Sequence, residues 1–147
     1  MRRGAVSLAI LFSSVAAALG SAASDLDALQ GQWQLVRGIR DGVEAAEAQV
    51  RGTVIEFRGH EFRFPNDAQI GTSRSGRFRL DTTVTPHRID AVAAGDGAVS
   101  RGIYSISGDD YRVVFSAPGH PRPTAFTSEP GSGKLLQLWR RIPAAGD

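Results

Sequence analysis

The chain has 147 residues, of which 41% are hydrophobic, with 17 Lys and Arg against 15 Asp and Glu and no cysteine. The missing thiols exclude disulfide staples and thiolate chemistry, so the fold must hold by packing alone. The small basic excess comes entirely from Arg2 and Arg3 and gives no argument for a nucleic-acid partner.

Those two arginines begin a stretch with the order of a secretory signal peptide: a basic start, an apolar run from Ala5 to Leu19, then the small residues GSAAS. The run of about 15 residues is short of the roughly 20 that span a bilayer. The expectation is a signal peptide over residues 1–23, cleaved near Ala22 and Ala23. It leaves no stable membrane anchor, and no cysteine follows to carry a lipid. Residues 24–147 are then one exported domain, periplasmic or extracellular, with 15 basic and 15 acidic residues. A chain of about 124 residues buries roughly two-thirds of its unfolded surface, enough for one core.

In chain order, Ser24 caps a short turn through DLDALQ. QWQLVRGI then reads as the first strand, with Trp33, Leu35 and Ile39 on one face and Gln32, Gln34 and Arg40 on the other. Asp41-Gly42 turns the chain, and VEAAEAQV has the alanine and glutamate content of a two-turn helix. TVIEF, EFRF and RFRL place Ile55, Phe57, Phe62, Phe64, Phe78 and Leu80 inward, with arginines and acids between them. HRIDAVAA, SRGIYSIS and YRVVF continue the meander, GDD making the tight turn before YRVVF. TAFTS is a weaker strand. LLQLWRRI closes the series, Leu136 and Leu138 alternating against Gln137.

The count is about eight or nine strands and one short helix. A sheet of that size with one apolar face must close on itself or stack in two layers, because open edges and a bare apolar face are both unstable. The predicted class is all-β, with a small antiparallel up-and-down barrel as first choice and a sandwich as second. The glycine-rich PGSGKLL, residues 130–136, is a hairpin entry and not a phosphate loop. Ser128 stands where that motif needs its first glycine, and Leu135 where it needs Ser or Thr.

Gly31-x-Trp33 near the start and Arg140-Arg141 on the last strand, with GDDYRVVF between two late strands, resemble the lipocalin and wider calycin pattern. The ordered set DLDALQGQWQLV, RDG, GRFRLD, GIYSISGDDYRVVF and RPTAFTSEPGSGKLLQLWRR is similar to a family of uncharacterised bacterial lipocalin-like domains of planctomycete type. The resemblance implies a tryptophan at the closed end of a barrel, covered by a terminal arginine. Gly31, Trp33, Arg140 and Arg141 are thus the expected closure residues, with either arginine able to cover Trp33. A guanidinium over an indole gains about 0.5–2 kcal/mol.

Candidate ligand contacts are Trp33, Tyr104, Tyr111 and Arg122. The tyrosines can bring hydroxyls to an apolar interior, and Arg122 is held between prolines where it can meet a carboxylate. The three histidines, His60, His87 and His120, show no metal-ligand spacing, so neither a metal nor another cofactor is expected. No Gly-x-Ser-x-Gly elbow or dedicated acid–base pair is present, which argues against an enzyme. Two functions follow: a barrel binding a small hydrophobic ligand, or a protein-interaction module with a phenylalanine-filled core that grips a partner through loop 117–133.

Overall fold

Residues 25–66 and 74–144 are described by a computed structural model. The expected signal segment over residues 1–23, its expected cleavage site and Ser24 lie outside the described residues. Residues 25–29 are helical (α1). There follow β1 (Gly31–Arg40), β2 (Val43–Glu44), α2 (Glu47–Arg51), β3 (Val54–Arg58), β4 (Glu61–Arg63), β5 (Ser75–Asp81), β6 (His87–Ala93), β7 (Val99–Ser107), β8 (Asp110–Phe115) and β9 (Leu135–Arg141). Each strand from β3 to β8 pairs antiparallel with the next, and β1 pairs with both β3 and β9. The seam between β1 and β9 runs from Trp33 opposite Arg141 to Arg40 opposite Leu135. Eight strands therefore close an up-and-down barrel, and the sandwich is excluded.

The helix expected over VEAAEAQV is only half formed. Asp41 and Gly42 both adopt positive φ, 53° and 79°. That two-residue geometry matches the twist of a hairpin, so Val43 and Glu44 fold back on β1 before the helix can start. β2 is thus an extra strand beside the barrel. The Gln34 side chain, facing outward, donates to the carbonyls of Val50 and Thr53 and ties the end of α2 to β1.

The alternation read along the first strand holds for Trp33 and Leu35 and then breaks. The β1–β9 register shifts between Leu35 and Arg37, with Val36 as the unpaired extra residue. Such a bulge exchanges the two faces for everything beyond it. Ile39, expected inside, pairs with outward Leu136, while Arg40, expected outside, borders the barrel interior.

A matching correction applies to the last strand. Trp139 pairs with Tyr111, and Gln137 with Val113, all four on the inward face and buried. Leu136 and Leu138 are the outward pair, the reverse of their apolar appearance. The reason is a second apolar layer outside the barrel. Ile103 and Val114 pair with each other on outward positions, yet are only 2% and 0% exposed.

What covers them is the long β8–β9 connection. TAFTS is not a strand there but part of a strap. Ser116 Oγ donates to the Pro121 carbonyl, Pro123 is buried, and Phe126 lies under the outward Arg112 guanidinium at 3.9 Å. The strap ends in the turn through Gly131 and Gly133, whose positive φ values of 80° and 69° suit glycine. The Gly133 amide donates to Asp41 Oδ1, and the Asp41 amide to the Lys134 carbonyl, so this turn locks onto the β1–β2 hairpin and feeds β9.

Candidate functional site

The two ends of the barrel are built differently. At one end α1 lies across the opening. Trp33, fully buried, donates its Nε1–H to the Leu29 carbonyl at 2.8 Å. Arg141 places its guanidinium 4.3 Å from the Trp33 ring centroid. It also donates to the carbonyls of Ala28 and Gln30 and lies 3.3 Å from Asp109. One arginine thus satisfies the C-terminal carbonyls of α1 and stacks on the indole beneath. Arg140 points the other way, pairs with Asp110 at 3.2 Å and is exposed.

Tyr104 belongs to the same closed end. Its hydroxyl donates to Asp25 Oδ2 at 2.7 Å, and His87 Nδ1 lies 2.9 Å from that oxygen. Burial, reinforced by the hydrogen bond to Asp25, pushes the Tyr104 phenol far above its ordinary value of 10. It remains a neutral donor that pins α1 to β7. Arg122 lies outside the barrel. Its guanidinium donates to the carbonyls of Ile89 and Gly102 and forms a 2.7 Å ion pair with Asp90. Burial would raise the Asp90 carboxyl, but Arg122 and Arg79 outweigh it and hold it below its ordinary 3.8. Arg122 therefore clamps the strap to β6 and β7.

The opposite end opens on a cavity of about 280 Å³. Phe57, Phe62, Phe64, Phe78 and Phe115 wall it. The space exists because the facing residues are small: Ala91 stands opposite Phe78 and Ala93 opposite Gly76, and both line it with Ala98 and Ser100. Arg40, Pro118 and Gly133 border it on the strap side. Tyr111, Gln137 and Trp139 contribute from β8 and β9.

Of the four candidate ligand contacts, only Tyr111 lines this cavity. Trp33 and Tyr104 are committed to the closed end and Arg122 to the outer strap. Gln137, Arg40 and the small residues of β6 and β7 were not singled out by sequence reasoning. Arg40 was hidden by the bulge, and Gln137 by its flanking leucines. A polar residue two positions before an inward tryptophan was the one available signal.

Gln137 is 5% exposed, and its amide forms no hydrogen bond among the described residues. Nor does the Tyr111 hydroxyl, which burial alone raises above its ordinary value of 10. The Tyr111 ring packs edge-on against Trp33 at 5.7 Å and Phe57 at 5.9 Å. The Nε1–H of Trp139 is likewise buried and unbonded among the described residues. Among the described residues no three His, Cys, Asp or Glu side chains converge as a metal site. Comparison with protein-family models, curated proteins and solved structures returned no match.

Proposed function

We propose that this chain is an exported, lipocalin-like binding protein that holds one small, largely apolar molecule in the open end of its barrel. The observation that carries the reading is the phenylalanine-walled cavity. At about 280 Å³ it stands at the lower edge of the roughly 300–1,000 Å³ usual for small-molecule sites. An apolar void of about 150 Å³ already holds benzene, so the occupant has the bulk of one or two rings or a short acyl chain. The space favours ligand binding over a filled interaction module. The basic, apolar, small order of residues 1–23 supports export.

Tryptophan fluorescence tests binding directly, because Trp139 lines the cavity while Trp33 is sealed at the other end. In a Trp33→Phe background, titration with one-ring and two-ring aromatics and C6 to C10 acyl chains is expected to change Trp139 emission saturably, at one ligand per chain. Ala91→Phe fills the cavity from β6 and is expected to weaken binding at least about tenfold, by lost contacts and displaced volume. Absence of saturable binding across the series overturns the proposal.

A further inference from the structure

The cavity is not uniformly apolar, and its polar groups are of an unusual kind. Buried polar side chains normally find partners within the protein. Here Gln137 and Tyr111, 5% and 3% exposed, line the cavity with an amide and a hydroxyl that bond to nothing among the described residues. They stand on neighbouring strands, in successive inward pairs of the β8–β9 ladder: Val113 with Gln137, then Tyr111 with Trp139. Leucine would fill the Gln137 position with similar volume, and no hydrogen bond within the described residues calls for the amide, so its polar atoms are left to whatever occupies the cavity.

We propose that this pair is a recognition site for a neutral carbonyl group, so that the ligand is a small apolar ketone, ester, lactone or amide with its oxygen directed at Gln137 and Tyr111. The inference rests on the cavity-binding reading and adds its chemical selectivity. Both side chains can donate, the amide through Nε2 and the phenol through its hydroxyl, and a carbonyl oxygen accepts two hydrogen bonds. A carboxylate suits the pair less well. The cation lining the cavity, Arg40, pairs with Leu135 one inward step from Gln137 but is exposed and hydrated. A carboxylate seated on Gln137 and Tyr111 therefore exchanges its water for two neutral donors, which is disfavoured. A hydrocarbon fills the same volume and leaves both donors unmet, which costs it affinity at a site built for a polar group.

Three probes of nearly equal shape separate these possibilities: acetophenone, α-methylstyrene, in which a methylene replaces the oxygen, and benzoate. Affinities are measured by titration of the full chain and followed by the two indole N–H resonances in proton–nitrogen correlation spectra. Acetophenone is expected to bind about 10-fold to 100-fold more tightly than α-methylstyrene, the range for satisfying a buried donor, and more tightly than benzoate. It should move the Trp139 indole resonance and leave that of Trp33 in place. Gln137→Leu is expected to fold with an equal or higher melting temperature while the preference for acetophenone falls to within about threefold; Tyr111→Phe reduces it in part. Equal affinity for acetophenone and α-methylstyrene, tighter binding of benzoate, or an undiminished preference in Gln137→Leu overturns carbonyl recognition while leaving a cavity that binds. Failure of all three probes, together with the acyl series, removes the binding reading itself.

Discussion

Arg140 and Arg141 are adjacent, identical in chemistry and opposite in consequence. Strand alternation sends Arg141 to the closed end, where it lies over Trp33 and holds the carbonyls of Ala28 and Gln30. Its neighbour reaches only the exposed Asp110. Arg141→Ala should therefore cost about 2–4 kcal/mol, from the lost cation–π contact and the carbonyls left without a donor. Arg140→Ala should cost no more than about 0.5 kcal/mol, as for most exposed ion pairs. Urea denaturation of the two variants checks this; comparable losses would mean that the stacked guanidinium is not what holds α1 down. The motif residues made the pairing of Trp33 with a terminal arginine legible in the sequence. Which arginine it would be was not, because that depends on which face of β9 turns inward, and the two leucines beside Gln137 pointed to the wrong one.

Strands and turns were the most readable elements, since period-two alternation and Asp-Gly or Gly-Asp turns carry their own physical cause. The failures share another cause. A bulge leaves no mark in composition, so β1 beyond Val36 was assigned to the wrong face, and with it went Arg40 as a cavity residue. The strap over β7 and β8 made outward positions apolar, which period-two reasoning takes as inward. The bulge makes a sharp prediction. Val36 is half-exposed and has no partner on β9, so deleting it lets Leu35, Arg37 and Gly38 pair continuously with the same β9 residues. That variant should fold, losing roughly 1–2 kcal/mol as an ordinary single-site change. Deleting Gln34 places Trp33 and Leu35 on opposite faces and should abolish cooperative folding. Circular dichroism melts of the two deletions decide the matter, and failure of the Val36 deletion would show the bend itself to be indispensable.

At the scale of the whole molecule, the pH range of stability follows from groups held by the barrel wall. Hydrogen bonds from Arg63 and Gln32 hold the Glu56 carboxyl below its ordinary 4.5, and Arg122 and Arg79 hold Asp90 below 3.8. A depressed carboxyl stabilises the fold above its unfolded-state value, and that contribution disappears as pH falls through the lower folded-state value. Burial raises both Tyr104 and Tyr111 above 10, so their contribution is complete below 10 and is lost as pH climbs beyond it. Melting temperature should therefore be nearly flat between about pH 5 and pH 9, falling below about pH 4 and above about pH 10. Asp90→Asn should flatten the acid limb; an unchanged limb would place acid sensitivity elsewhere.

The seam between β1 and β9 has one more consequence. Strands at the two ends of the described chain form the longest ladder of the barrel, and Arg141 reaches Ala28 across 113 positions of sequence. Loop closure over such a span precedes any reward from its contacts, which places this topology among the slower folders. A nascent chain lacking its final ribbon has two raw edges and an uncapped lid, and can only wait. Closure of the ring therefore waits for β9, which alone joins β8 back to β1.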